Sequence, residues 1–171
     1  TRKRVTMLIP TLVQGGAEKQ MSLLAAGLPR SEFDVSVVAL TAGGPWLQYL
    51  QDRDIPVTVI GKRFKADPFA LYRLVGQLRL LRPDVLHTWI FAANAYGRLA
   101  ARWAGVRTCV VGERCVDLWK NELHFALDRW LDRRTDAYVT NSQGVVDFYQ
   151  LHRVGLGKFH VIPNAIESIE S

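Results

Sequence analysis

Five stretches of this sequence hold side chains that can do chemistry together, and each follows a run of apolar residues. Gly112-Glu113-Arg114 sets a carboxylate beside a guanidinium. Glu113 can orient a hydroxyl or move a proton, and Arg114 can pair with a phosphate or with Glu113 itself. In Gln14-Gly15-Gly16-Ala17-Glu18 two glycines stand where a helical pattern opens, so backbone N–H groups can meet an anion at close range. The loop is neither G-x-G-x-x-G nor a Walker sequence. A plain turn, with Glu18 set against the helix dipole, accounts for it as well as a ligand does. In His87-Thr88-Trp89 and Asn94, Trp89 can stack on a sugar or a base or fill the core, and His87 fits a hydrogen-bonded core histidine. Asn141 closes another apolar run on the side where a cleft is expected, and Ser142 beside it suits a helix N-cap. Lys62-Arg63-Phe64-Lys65 is a basic, aromatic-bearing loop, continued by Arg73, Arg79 and Arg82. It suits an anionic membrane surface, and a solvated face equally.

Other chemistries are absent. No Ser-His-Asp or Cys-His set can be defended, and His87, His124, His152 and His160 show no metal-ligand spacing. Cys109 and Cys115 are too few for a disulfide scaffold and match no zinc pattern, so no metal site is expected. The 22 Lys and Arg against 16 Asp and Glu leave a charge of +6 and a pI near 9.6. No helix-turn-helix, RRM or KH pattern turns that charge into a nucleic-acid reading. No apolar run approaches the ~18 residues of a membrane span. Thr1-Arg2-Lys3-Arg4 leads straight into a strand pattern without a signal-peptide core, and a reducing cytosol is the expected setting.

The elements that must position these residues alternate regularly over a chain of 171 residues, about one domain's worth. Strands are expected at 5–10, 35–40, 56–60, 84–89, 108–111, 137–140 and 159–162. Between them lie helical patterns at 17–28, 46–50, 71–81, 93–104, 119–133 (the longest) and 145–151, with Gly105 as a C-cap. Continuously apolar strands alternating with helices predict an open, doubly wound, mainly parallel Rossmann-like sheet of about seven strands, covered on both faces. An eight-fold barrel needs about 250 residues. In such sheets ligands bind at the carboxyl ends of the strands, which is where all five stretches fall. Periodicity stops over 165–171.

Four pieces in this order resemble the N-terminal lobe of the GT-B fold retaining glycosyltransferases of group 1, or family 4. They are Gly15-Gly16-Ala17-Glu18 with its helix, and Arg82-Pro83-Asp84-Val85-Leu86-His87-Thr88-Trp89 with the Ala-rich helix to Gly105. Asp136-Ala137-Tyr138-Val139-Thr140-Asn141-Ser142 and Gly157-Lys158-Phe159-His160-Val161-Ile162-Pro163-Asn164-Ala165-Ile166 complete the set. The resemblance implies that residues 1–166 form the acceptor-side lobe and 167–171 begin an interlobe linker, the donor lobe lying outside this chain. It implies sugar transfer from a nucleotide-sugar donor to a sugar or lipid-linked acceptor, without a metal cofactor, in polysaccharide or glycolipid synthesis of the hexosyltransferase type. Gly15, Gly16, Trp89, Asn94, Arg114 and Asn141 would then bind substrate. Glu113 would be catalytic, in a segment where relatives often carry a histidine. Lys62, Arg63, Phe64 and Lys65 would face an anionic membrane, making a cytoplasmic protein peripheral at the inner membrane face. The chain alone would be inactive. The rival expectations are a non-catalytic nucleotide-binding module and a lobe of a sugar-nucleotide epimerase.

Overall fold

The computed structural model describes residues 1–165. Along the chain run β1 (Lys3–Thr11), α1 (Gly16–Gly27), β2 (Phe33–Ala42), α2 (Pro45–Gln51), β3 (Val57–Val59), α3 (Pro68–Leu81) and β4 (Val85–Trp89). Then follow α4 (Ile90–Ala104), β5 (Thr108–Glu113), α5 (Glu122–Asp132), β6 (Ala137–Thr140), α6 (Gln143–Leu151) and β7 (Phe159–Val161). The strands form one parallel sheet in the order β3-β2-β1-β4-β5-β6-β7. The expected open doubly wound sheet is therefore the observed one.

Strand order reverses between β1 and β4, where Val5 pairs with Val35 on one side and Val85 on the other. That register buries both faces of β1, which is why its pattern is apolar throughout rather than alternating. Leu8, Val38, Leu40 and Leu86 point into a core shared with α3 to α6. Met7, Ile9, Val37 and Ala39 point the other way, into a core under α1 and α2. Each such side chain taken fully from water contributes about 1.5–3 kcal/mol. Pro10 fits a central strand because the β1–β2 register shifts between Ile9 and Thr11, at the kind of irregularity that tolerates a missing N–H. Gly97 lets α4 lie close on the sheet, since a Cβ there would run into the Thr88 and Leu8 side chains.

Several boundaries differ from expectation. The helix expected over 119–133 begins only at Glu122, and Trp119 and Lys120 belong to the connection before it. The Asn121 side chain stops it there, accepting from the backbone N–H groups of Leu123 (3.0 Å) and His124 (3.2 Å), while His124 Nδ1 accepts from the Asn121 N–H. This is a capping box with His in the place of the usual Glu or Gln. The longest helix is α4, with 15 residues. It starts directly on leaving β4 rather than at Ala93, and Gly105 caps it in the left-handed region as expected. Likewise α3 starts at Pro68, behind an Asp67 N-cap. The expected linker over 167–171 lies outside the described residues.

Candidate functional site at the carboxyl edge of the sheet

The reversal between β1 and β4 opens a crevice at the carboxyl edge of the sheet, the usual ligand site of such folds. On its β1 side stands the start of α1. Gly15 occupies the N-cap with extended backbone and no side chain to satisfy the first N–H groups of the helix. Neither Gly15 nor Gly16 has a positive φ, and a Cβ on Gly16 would meet nothing within 4 Å. Neither glycine is thus demanded by backbone conformation, and Gly16 not by packing either. What the pair leaves is a helix N-terminus without a side-chain cap hydrogen bond, open at Gly16 and with the Glu18 carboxylate lying against Gly15, a place where an anion is favoured.

On the β4 side, the chain turns into α4 through Ile90, whose φ of 60° is costly for a β-branched residue. Strain of this kind concentrates at functional sites. Beside it the Arg114 guanidinium lies 5.0 Å from the centre of the Trp89 ring and donates to the side-chain carbonyl of Asn164. Arg114 has no carboxylate partner among the described residues, and partial burial holds its pKa below the usual value. His87 packs against Trp89 with ring centroids 4.7 Å apart. Burial and the nearby Arg114 charge push the imidazole down to about 4, so it is neutral at physiological pH. At this edge the backbone N–H and C=O of Ala165 both bond the Gln20 amide of α1, at 2.8 and 3.0 Å.

The neighbouring side chain, Glu113, points the opposite way, as alternate residues at a strand end must. It accepts from Asn94 Nδ2 at 3.2 Å, and the same amide donates to the Gly112 carbonyl at 3.1 Å. The sequence left open a pairing of Glu113 with Arg114; its cation is instead Lys120, at 3.8 Å. Lys120 also reaches Asp128 (3.1 Å), Asp117 (3.4 Å) and the Tyr149 hydroxyl (2.8 Å). Asp128 in turn accepts from Arg98 at 2.8 Å, and Arg98 is completely buried. Burial is the main cause raising Glu113 to about 7, with Asp128 and Asp117 adding to it and Lys120 opposing. Three carboxylates converge here, yet the Lys120 ammonium stands among them. Among the described residues no group of His, Cys, Asp and Glu is arranged to hold a metal.

The structure thus brings Trp89 and Arg114 together, and Asn94 and Glu113 together, with Trp89, Asn94 and Glu113 each 3% exposed or less. Asn141 is half-buried at the end of β6, and Ser142 is the N-cap of α6. Buried polar atoms without a partner include His87 Nε2, Trp89 Nε1, Asn94 Oδ1 and Thr140 Oγ1. All four lie on β4, on β6 or in α4 just behind this edge, where unsatisfied groups call for an explanation. Sequence reasoning missed Lys120, Asp117, Asp128, Arg98 and Tyr149. The one local signal was Arg98, a charge on the buried stripe of an Ala-rich helix.

The sequence matches the model of Glycosyltransferase Family 4 over residues 14–168. The chain belongs to that family. No curated protein sequence matches it significantly. Among solved structures it is similar to Anabaena Alr3699/HepE in complex with UDP-glucose, at 17% identity and a TM-score of 0.80, covering 95% of this chain and 44% of that one. It is similar to Acinetobacter baumannii MurG at 20% identity and a TM-score of 0.64, covering 98% and 47%. The UDP-GlcNAc 2-epimerase of Methanocaldococcus jannaschii matches at 12% identity and a TM-score of 0.66, covering 94% and 45%. The chain therefore spans under half the length of these structures. As a glycosyltransferase family 4 chain with this sheet, it has the fold of the N-terminal lobe of a GT-B glycosyltransferase. No helix among the described residues is long and apolar enough to cross a membrane.

Proposed function

We propose that this lobe, with residues 1–166 on the acceptor side and 167–171 leading to a second lobe, serves a retaining hexosyltransferase that moves a sugar from a nucleotide sugar to an acceptor hydroxyl. The observation that carries this is the uncapped Gly15-Gly16 turn of α1, on the opposite flank of the crevice from an Arg114 without a carboxylate partner. Backbone N–H groups and a guanidinium are the two donors suited to a diphosphate. The UDP-glucose bound by the HepE structure supports a nucleotide sugar as co-substrate. Trp89 would back Arg114, and Asn141 would meet substrate on the β6 side. Glu113 and Asn94 would act as positioning residues, setting the strand end that carries Arg114. The transfer needs no metal in this reading, and its product class is a polysaccharide or glycolipid.

The experiment is calorimetric titration of the full-length protein with UDP, repeated on Arg114→Gln and Gly16→Val, with binding at least about tenfold weaker in each variant. Failure of both to weaken it overturns the site. Full-length protein given UDP-glucose and acceptor should release UDP and form an α-linked product, read by NMR of the anomeric proton. The chain alone should form none, because the donor-side contacts come from the second lobe. The epimerase neighbour sustains a second reading. Conversion of UDP-GlcNAc to its C2 epimer, without transfer, would select it. The exposed Arg63, Phe64 and Lys65 next to Lys62 support contact with an anionic inner membrane face by a cytoplasmic protein. Salt-sensitive co-sedimentation with phosphatidylglycerol vesicles tests this, and indifference to lipid charge removes it.

A further inference from the structure

A second concavity opens at the same carboxyl edge, on the α4 side of β4. It is a groove of about 580 Å³ between α3, α4 and the start of α5, within the size range of small-molecule sites. Its walls are apolar: Leu71, Ala95 and Leu99 along its length, and Phe91, Trp119 and His124 at one end. The three rings meet edge to face with centroids 5.0–5.4 Å apart.

Its rim is cationic and built. The Tyr96 hydroxyl donates to the Lys65 carbonyl (2.8 Å) and accepts from the Asp67 N–H (2.7 Å). The Asp67 carboxylate accepts from the N–H groups of Arg63 (2.9 Å) and Ala70 (3.0 Å). These bonds fix the 62–67 loop over the groove, with the Lys62 ammonium 5.6 Å from the Tyr96 ring centre. No carboxylate lies within salt-bridge distance of Lys62 or Lys65 among the described residues.

We propose that this groove binds a single-chain anionic amphiphile, its hydrocarbon chain along Leu71, Ala95 and Leu99 and its phosphate between Lys62 and Lys65. A free sugar would gain little from walls that are mostly apolar, and a neutral hydrocarbon would leave two unpaired ammonium groups at the mouth unused. The groove is lined by the connections after β3 and β5 and by the start of α4, which leaves β4 directly. Resting on the transferase reading, this ligand is the non-sugar end of the acceptor.

The probe is dodecyl phosphate, titrated into the chain below its micellar concentration. Saturable one-to-one binding is expected, at least about tenfold tighter than for dodecyl maltoside or inorganic phosphate. Ala95→Trp, which fills the groove, and the double variant Lys62→Glu/Lys65→Glu should each weaken it by about tenfold or more. Absence of saturable binding, equal binding of the maltoside, or binding untouched by Ala95→Trp (adsorption on the basic loop alone) overturns the proposal. Should Ala95→Trp not fold, Leu71→Asp on the half-buried groove wall takes its place, and binding untouched by it overturns the proposal. UDP titrated into the full-length forms of the same variants and of the wild type separates the two readings. Lost amphiphile binding with UDP retained is the expected pattern for the variants. No amphiphile binding by a wild-type chain that binds UDP overturns the groove alone, and the converse overturns the nucleotide-sugar site alone.

Discussion

The two flanks of the carboxyl edge are built on opposite plans. At the start of α1 the polar groups are backbone N–H groups without a side-chain cap hydrogen bond, although the Glu18 carboxylate lies against Gly15. At the end of β5, two strands from β1 in the sheet, Glu113, Asp117 and Asp128 are sealed around Lys120, with Arg98 and Tyr149 completing the set. A charge whose partners all lie within the lobe holds shape. A donor whose valence the lobe leaves open is available to something else. The contrast separates residues that build the edge from those that can meet a ligand, although both kinds look alike as letters in a sequence.

Removing Lys120 should show the sealed flank most strongly. Lys120→Met leaves three carboxylates buried without their shared cation. Breaking such a cluster costs about 3–5 kcal/mol, which for a chain of this length lowers Tm by about 10 °C. A loss under about 1 kcal/mol would mean that the network is wetter than its burial indicates.

Glu113→Gln should change the pH dependence of stability. The Glu113 pKa rises from an ordinary value near 4.5 to about 7 on folding, so between those values the folded chain binds more protons than the unfolded one. Stability from this group therefore falls as pH rises through that window. His87 has the reverse sign, its pKa falling from 6.5 to about 4, and opposes the trend where the windows overlap. Glu113→Gln removes only the first effect. Relative to wild type, it should gain up to about 2 kcal/mol between pH 5 and 8, read by urea unfolding at several pH values. An unchanged difference across that range would show that Glu113 does not titrate there.

The open flank predicts a small stability effect and a larger functional one. Gly16→Ala meets no steric obstacle and should stabilise by about 0.4–1 kcal/mol, through the unfolded chain. A side chain on that turn should still weaken UDP binding. Destabilisation would mean that Gly16 serves the fold, and the contrast between the flanks would dissolve.

Strand order of types, the glycine turn and the caps at Gly105 and Ser142 were legible because each is encoded within a few neighbouring residues. The 3.6 and continuous apolar patterns separate helix from strand locally. The sealed cluster was not legible. Its members come from α4, the end of β5, the 114–121 connection, α5 and α6, with Arg98 and Asp128 thirty residues apart, and no periodicity records which charges will converge. The start of α5 was misplaced for a related reason. Apolar spacing continues through Trp119, and the Asn121–His124 box that halts it uses an imidazole where a carboxylate is the familiar signal. Glu113 and Arg114 were legible as a pair and misleading as one, since adjacent side chains on a strand serve different faces.

The two bonds between the Gln20 amide and the backbone of Ala165 have a mechanical corollary. A primary amide bonded to both backbone groups of one residue fixes direction as well as distance, so Ala165 is held in an orientation set by α1. The helix that opens at Gly16 and Ala165 are members of one linkage. A tilt of α1 by a few degrees would carry Ala165 with it, and a pull on Ala165 would be passed to the helix that starts at the glycine turn.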